Sequence, residues 1–96
     1  MAIRSFSDKP TEEFFISGRL GPHAGWGRVR RIVKRKLDMP HYAAQLGDLR
    51  SPPGNRLEAL KGKLSGYHSV RVNDQWRVVF RWTKAGPTRV RVTDYH

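Results

Sequence analysis

Hydrophobic and polar residues alternate along residues 66–82, and this pattern predicts a β-hairpin with two unlike faces. The apolar positions are Val70 and Val72 in the first strand and Trp76, Val78 and Phe80 in the second. Side chains at alternate positions of a strand point to the same side of a sheet. We therefore expect these five side chains to form the core face of the hairpin.

The length of the connecting loop decides which side chains lie opposite each other. A two-residue turn at 73–74 would place Arg71 opposite Trp76, whereas a three-residue loop at 73–75 places Arg71 opposite Arg77. Only the longer loop gathers the apolar side chains on one face, so burial favours it. The other face, called the arginine face below, would carry Tyr67, Ser69, Arg71, Arg77 and Arg81. Two opposed arginines repel, and a shared anion would remove that conflict.

A short helix is predicted near the N-terminus, after an edge strand at residues 2–6. Asp8 or Thr11 can cap this helix, which runs through Ile16 and ends before Gly18. Its aromatic and aliphatic side chains, Phe14, Phe15 and Ile16, are expected to face the core.

The clearest helix covers residues 26–37, in which Val29, Ile32, Val33 and Leu37 follow helical spacing. The rest of its surface is basic and consists of Arg28, Arg30, Arg31, Lys34, Arg35 and Lys36. Like charges four positions apart destabilise a helix, so this surface is either solvated or binds an anionic partner. Pro40 is expected to break or restart the helix, with a short helix at 41–49 after it.

The second half of the chain predicts the remaining strands. A loop at 50–55 leads to a strand at 57–60, and a turn at 84–87 leads to a last strand at 88–93. Strands joined by short turns pair antiparallel. Residues 1–96 are therefore expected to form a single α+β domain, a small antiparallel β-sheet with two N-terminal helices on one face and the arginine face open to solvent.

The amino-acid composition limits the classes of function and partner that the protein can have. Nineteen basic residues against eight acidic ones give a net charge of +11, which points to nucleic acid, an acidic protein or an anionic membrane surface. The absence of cysteine excludes disulfides and favours a cytoplasmic location. No apolar run approaches the ~20 residues that span a bilayer, and no signal peptide is expected. The histidines, His23, His41, His68 and His96, show no ligand spacing, so neither a metal nor another cofactor is expected.

One set of residues suits RNA cleavage without a metal. The members are Lys61, Arg71, Arg77 and His96. Attack by a 2′-hydroxyl needs a base, cations on the phosphorane oxygens and an acid for the leaving 5′-oxygen. Histidine transfers protons near neutral pH, and the arginine fork suits phosphate. Asp94 can orient an imidazole beside it, and Tyr95 can stack on a base or hydrogen-bond to it.

Three stretches resemble the HigB group of the RelE/ParE toxin superfamily, also called plasmid-maintenance killer proteins. They are RSPPGNRLEALKG, GYHSVRVNDQWRVVFRW and the terminal DYH, and the resemblance runs from residue 3 to residue 96. It implies a RelE-like fold and a type II toxin, an endoribonuclease that cuts mRNA in the A site of the 30S ribosomal subunit. It also implies a HigA-like helix-turn-helix antitoxin, which would connect the protein to operator DNA.

The resemblance also implies site residues. The catalytic set would be Lys61, Arg71, Arg77, Asp94, Tyr95 and His96. Independently of the resemblance, the positive charge of the chain predicts an RNA- or ribosome-binding set, namely Arg28, Arg31, Lys34, Arg35, Lys63, Arg81, Arg89 and Arg91. Glu58 stands where some relatives have a histidine, which leaves open whether Glu58 acts as the base. His68 is a poor substitute, because strand alternation places it with Val70 on the core face.

Two other functions stay open. One is a non-catalytic growth inhibitor on the same fold, like the ParE branch that poisons gyrase. The terminal DYH argues against it, because that branch needs no acid–base histidine. The other is a regulatory module that binds nucleic acid through the basic helix, and the lack of a recognition-helix motif argues against it.

Overall fold

The computed structural model describes residues 2–22 and 24–94. Two α-helices come first, α1 (Lys9–Ser17) and α2 (Arg30–Tyr42). Four strands follow, namely β1 (Glu58–Ala59), β2 (His68–Arg71), β3 (Arg77–Thr83) and β4 (Gly86–Thr93). They form one antiparallel sheet in the order β1-β2-β3-β4. This arrangement confirms the α+β fold. Among the described helices, none has the length and apolar character that crossing a membrane requires.

The hairpin has the register that burial predicts. Arg71 lies opposite Arg77, and the backbone N–H of Val72 donates to the Trp76 carbonyl oxygen at 3.0 Å. The three-residue loop is held by the Asn73 side chain, whose Oδ1 accepts from the backbone N–H groups of Gln75 (2.9 Å) and Trp76 (2.7 Å). This side chain replaces the ladder hydrogen bonds that the strands lose at the turn.

The core lies between the sheet and the two helices. Val70, Val78 and Phe80 of the sheet are fully buried, as are Val33 and Leu37 of α2. The predicted core face is therefore confirmed, with Trp76 only half-buried at its end. Removing this apolar surface from water is the main stabilising contribution to the fold.

The arginine face is less open than predicted. Ser69 and Val79, which lie opposite each other on β2 and β3, are both fully buried. Arginine stems can cover apolar surface while their charged ends stay in water. Arg77 and Arg81 flank Val79 on its own strand, and Arg91 lies opposite it on β4. Charged residues thus surround the buried positions on this side of the sheet.

Helix α1 begins and ends as its capping residues predict. Asp8 is the N-cap, with its Oδ1 accepting from the Thr11 backbone N–H at 2.9 Å. Gly18 ends the helix with φ 75°, a left-handed conformation that glycine adopts without a steric penalty. Phe14 enters the core, but the expectation for Ile16 is wrong, since Ile16 is 71% exposed.

Helix α2 differs from the prediction at both ends. Residues 27–29 form a 3₁₀ turn before it, and the helix continues through Pro40 to Tyr42 instead of breaking. A proline inside a helix removes one backbone hydrogen bond. The Pro40 ring is fully buried, and this burial offsets the loss. The short helix expected at 41–49 is reduced to a 3₁₀ turn, Leu46–Arg50.

The edge strand predicted at residues 2–6 is reduced to a single bridge beside β4. Phe6 forms a parallel bridge with Val90. Hydrogen bonds from the Ser7 N–H to the Val90 oxygen (3.0 Å) and from the Val90 N–H to the Ser5 oxygen (3.1 Å) hold it. The register of β3 and β4 shifts at this point, and Arg89 has φ 52°. These two features mark a β-bulge in β4.

Candidate active site

The register of the sheet places charged residues in rows across the arginine face. Paired residues of neighbouring strands project to the same side. One row crosses all four strands. Glu58 of β1 pairs with Ser69 of β2, Ser69 pairs with Val79 of β3, and Val79 pairs with Arg91 of β4. The next row contains Arg71 and Arg77, which pair directly.

Arg71 and Arg77 each have an acceptor within the hairpin loop. The Arg71 guanidinium forms an ion pair with the Asp74 carboxylate. The Arg77 guanidinium donates to the carbonyl oxygens of Asn73 and Trp76, the latter at 3.1 Å. The expected repulsion between the two arginines is therefore relieved from inside the loop, since each guanidinium has its own acceptor there.

The partner of Arg71 can be exchanged for a ligand. The Asp74 side chain is 97% exposed. An ion pair with such an exposed partner is screened by water and contributes about 0–1 kcal/mol to stability. A phosphate oxygen that approaches this site can displace the carboxylate at little cost.

Arg81 is held at the far end of the arginine face. Its guanidinium lies 5.5 Å from the centre of the Tyr67 ring, in a cation–π geometry. Gly66 has φ 91°, and a Cβ atom there would lie 3.3 Å from an Arg81 nitrogen. The glycine thus provides both the backbone conformation and the space that this contact needs.

The end of β4 comes close to the hairpin loop. Thr93 pairs with Arg77, and the Gln75 side-chain nitrogen donates to the Asp94 carboxylate at 3.2 Å. Asp94 therefore lies beside the loop that holds Arg71 and Arg77. The predicted catalytic residues Tyr95 and His96 lie outside the described residues, and so does His23.

Other predicted site residues lie farther from this pair in the sheet. Lys61 follows β1 and precedes the 3₁₀ turn Gly62–Leu64, which contains Lys63, and both lysines are exposed. Arg89 lies in the bulge, where its N–H and carbonyl oxygen bind the side chains of Ser5 and Ser7. Because of the bulge, simple strand alternation does not align Arg89 with Arg91.

The basic surface of α2 is a second cationic region, on the opposite side of the sheet. Arg28, Arg31 and Arg35 are exposed, and a surface cavity of about 340 Å³ lies along residues 28–32. Lys34 forms an ion pair with Asp38 at 2.6 Å and lies 5.1 Å from the centre of the Phe15 ring.

Lys36 does not belong to this basic surface. It is 6% exposed, and its Nζ donates to the Asn55 side-chain oxygen at 2.5 Å. Burial lowers the pKa of the Lys36 ammonium from its ordinary value, and the positive charge of Arg35 lowers it further. The expectation that Lys36 belongs to the exposed basic surface of the helix is therefore wrong.

Asn55 is a structural residue that the sequence did not reveal. Its side-chain nitrogen donates to the carbonyl oxygens of Leu49 (3.1 Å) and Ser51 (3.3 Å), and its oxygen accepts from Lys36. It thus joins α2 to the loop that leads into β1. A buried asparagine in a loop rich in proline and glycine has no distinguishing sequence signal, since asparagine is common in exposed turns.

His68 lies on the core side of the sheet, as alternation predicted. Its ring stacks on Phe80 with centroids 6.4 Å apart, and within the described residues its buried Nδ1 has no hydrogen-bond partner. It lines a cavity of about 220 Å³ beside Leu57 and Arg50. Within residues 2–22 and 24–94, no cluster of three histidines or acids could hold a metal ion.

Comparison with known proteins finds similarity along nearly the whole chain. Residues 4–96 match a family model described as the RelE-like toxin of type II toxin-antitoxin system HigB. The chain is 41% identical over 80 residues to Toxin HigB-1 of Vibrio cholerae serotype O1, which covers 80% of each chain. It is 42% identical over 52 residues to an uncharacterized protein of Haemophilus influenzae, which covers 54% of this chain and 52% of that protein.

Proposed function

Since this chain belongs to the HigB-like family of RelE-like toxins from type II toxin-antitoxin systems, we propose that it is an endoribonuclease that cuts mRNA in the ribosomal A site. One observation supports this activity above the others. Arg71 and Arg77 lie directly opposite each other, each is held by an acceptor in the hairpin loop, and Asp94 lies beside that loop. Two fixed guanidiniums match the charge of a phosphate whose ester bond is being exchanged.

In the proposed reaction, the RNA supplies its own nucleophile. The 2′-hydroxyl loses its proton and attacks the adjacent phosphorus, the bond to the 5′-oxygen breaks, and that oxygen takes up a proton. The products are a 2′,3′-cyclic phosphate and a 5′-hydroxyl. Arg71 and Arg77 would stabilise the charge on the phosphorane oxygens, and Lys61 would add a third cation.

The proton for the 5′-oxygen would come from His96. This assignment is motivated by the sequence, in which Asp94, Tyr95 and His96 are consecutive. Histidine donates protons near neutral pH, an adjacent carboxylate can orient the imidazole, and a tyrosine can stack on a base.

The ribosome would supply the substrate and much of its positioning. Among the described histidines, His41 binds the Ile3 N–H through Nδ1 and His68 lies on the core side, so neither serves the arginine face. With so few groups for proton transfer, the geometry of the mRNA must be set by its surroundings. A ribosomal target also puts the protein in the cytoplasm.

Primer extension on one mRNA, with and without translating ribosomes, tests the proposal. The purified protein should cut the mRNA on ribosomes and leave naked mRNA nearly intact. A variant with both Arg71→Ala and Arg77→Ala controls for a contaminating nuclease. Equal cutting of naked mRNA would contradict the need for the ribosome. Growth arrest without any cutting would favour the non-catalytic inhibitor.

The partner that the family implies is a protein antitoxin. We infer that this antitoxin is a HigA-like helix-turn-helix protein, so that the complex reaches operator DNA through it. The net charge of +11 supports an acidic surface on that partner, because unlike charges accelerate association.

A further inference from the structure

A cavity of about 220 Å³ lies at the β1 edge of the sheet, on the side that faces the core, and the proposed reaction does not use it. We propose that this cavity binds one unstacked base of the mRNA, next to the dinucleotide that is cut. The inference rests on the proposed ribonuclease activity and goes beyond it, because it assigns base recognition to a surface other than the arginine face.

The size and the walls of the cavity suit one flat ring system. The apolar walls come from Leu46, Leu57 and Ala59. Gly47, Arg50 and Ala59 are exposed, so the cavity opens to solvent. Its volume is below the roughly 300–1,000 Å³ of pockets that hold drug-sized molecules. A single nucleobase is an occupant of the right size.

A buried hydrogen-bonding atom belongs to this cavity. His68 lines it, and the His68 ring stacks on Phe80 with centroids 6.4 Å apart, which restrains the orientation of the imidazole. In the part of the chain that the structure describes, no group forms a hydrogen bond with the buried Nδ1. A buried polar atom without a partner costs free energy, which an occupant recovers if it brings a donor or an acceptor. The edge of a nucleobase carries both.

Positive charge surrounds the opening. Arg50 lines the cavity and is exposed, and Arg56, Lys61 and Lys63 are exposed in the same stretch of chain. Residues 50–63 contain a single acid, Glu58. A polyanion is therefore attracted to this edge of the sheet. A nucleotide would place its base against the apolar walls and its phosphate near Arg50.

The cavity and the arginine face meet at the same edge of the sheet. His68 precedes Arg71 by three residues on β2, roughly 10 Å along the strand. The edge strand β1 has two residues, of which Glu58 shares the row of the arginine face and Ala59 lines the cavity. An RNA strand bound by Arg71 can therefore pass this short edge and place a neighbouring base in the cavity. Sequence-specific recognition of RNA commonly uses bases that are splayed out of the stack in this way.

A nucleotide explains more of the cavity than a protein side chain does. Aromatic side chains of protein partners also anchor in pockets. A nucleotide, however, meets the ring-sized cavity, the imidazole and Arg50 together, and its chain continues toward the phosphate proposed to bind the arginine face. Water in the cavity has few partners along the apolar walls, so a base that displaces it gains affinity.

Binding of AMP, CMP, GMP and UMP tests the cavity without the ribosome. The protein is the full chain with Arg71→Ala and Arg77→Ala, which removes the phosphate site of the arginine face. Millimolar nucleotide should shift the NMR signals of His68, Leu46 and Leu57. Inorganic phosphate at the same concentration should leave the leucine signals unchanged, because it brings no ring.

A glycine at the cavity allows the opening to be filled. A Cβ atom at Gly47 would have no atom within 4 Å, so Gly47→Phe can place its ring there without a clash. This substitution should abolish the nucleotide-induced shifts. Gly54→Phe is the matched control, since a Cβ atom there also meets nothing within 4 Å and Gly54 does not line the cavity. The melting temperatures of both variants check that the fold is kept.

Cleavage of ribosome-bound mRNAs that differ only in the bases beside the cut tests the role of the cavity. The wild-type rate should depend on the identity of one base. Gly47→Phe, in the otherwise wild-type chain, should lower the rate on the preferred base about tenfold and leave little preference among the four bases. Gly54→Phe should keep both the rate and the preference.

Each outcome decides the assignment. No shift with any nucleotide, or equal shifts with inorganic phosphate alone, would overturn the base site while the ribonuclease proposal stands. Cleavage and nucleotide binding that are unchanged by Gly47→Phe, together with escape from neutralisation by the antitoxin, would assign the cavity to the protein partner instead. No cleavage by the wild-type protein would overturn the proposed function, and with it the assignment of the base to mRNA.

Discussion

The two cationic regions of this protein hold the same kinds of residue in different ways. On the arginine face, Arg71 and Arg77 are half-buried and bind acceptors of the hairpin loop. On α2, Arg31 and Arg35 are exposed, and no hydrogen bond holds them within the described residues. A half-buried guanidinium has fewer positions available to it and can stabilise charge that develops at one point, whereas an exposed one attracts a polyanion from any direction. The first region is therefore suited to catalysis and the second to association.

The largest effect is expected at the fixed pair. Arg71→Ala and Arg77→Ala should each lower the single-turnover cleavage rate at least about tenfold, and the double variant should lose less than the product of both. The reason is that both guanidiniums serve one phosphate. Rates measured at saturating ribosome concentration provide the check, with Arg19→Ala as the control because Arg19 is exposed and lies outside the predicted sites. Multiplicative losses would mean that the two arginines have separate targets.

A smaller effect, on binding alone, is expected at α2. Replacing Arg31, Lys34 and Arg35 with Gln should weaken ribosome affinity and make it less dependent on salt, because fewer counterions are released on binding. The slope of the logarithm of affinity against the logarithm of salt concentration measures this change. Cleavage by bound protein should stay near the wild-type rate. If the slope of the triple variant matched that of the wild type, the helix surface would be merely solvated.

The smallest effect on binding is expected at Lys36. Unlike its basic neighbours on α2, Lys36 is buried and donates a hydrogen bond to Asn55. Lys36→Ala should leave ribosome affinity unchanged but lower the free energy of unfolding by about 2–4 kcal/mol, since it removes a buried stem and leaves the Asn55 oxygen unpaired. Lys34→Ala, at a half-exposed ion pair, should cost less than about 1 kcal/mol. Urea unfolding of both variants measures the two losses in the free energy of unfolding. Equal losses would contradict the prediction.

The contribution of Lys36 to the free energy of unfolding should depend on pH. The direction of this dependence follows from the burial of Lys36. Burial lowers the pKa of Lys36, so the unfolded chain keeps this proton to a higher pH than the folded chain does. The contribution of Lys36 to stability should therefore increase as pH rises from its folded pKa toward the ordinary value of 10.5. The difference in unfolding free energy between wild type and Lys36→Ala should widen over that range.

The hairpin was predictable because two independent constraints agree on it. Alternation defines the strands, and the need to bury Val72 and Trp76 on one face selects the three-residue loop, which in turn sets Arg71 opposite Arg77. Neither constraint involves distant parts of the chain. The acceptors of the two guanidiniums could not be foreseen in the same way, because they depend on the conformation of the loop.

Features that depend on tertiary contacts were missed. Pro40 is a helix breaker by local rules, yet it lies inside α2 with its ring fully buried. In the sequence, nothing distinguishes Lys36 from its basic neighbours. In the fold, Lys36 is set apart by its hydrogen bond to Asn55, which lies 19 residues later. The bulge at Arg89 depends on the N-terminal segment that binds beside it. In the candidate site, the assignments of Tyr95 and His96 stay predictions.

The pairing of the N-terminal segment with β4 sets a limit on when the protein can finish folding. The Ser5 hydroxyl accepts from the Arg89 N–H across 84 residues of chain. During synthesis the segment has no partner until those residues have been added, and contacts between such distant residues form slowly. The sheet is therefore completed late, and a nascent chain keeps the outer edge of its sheet unformed while most of its length is being translated. We expect the protein to fold fully only after this last pairing.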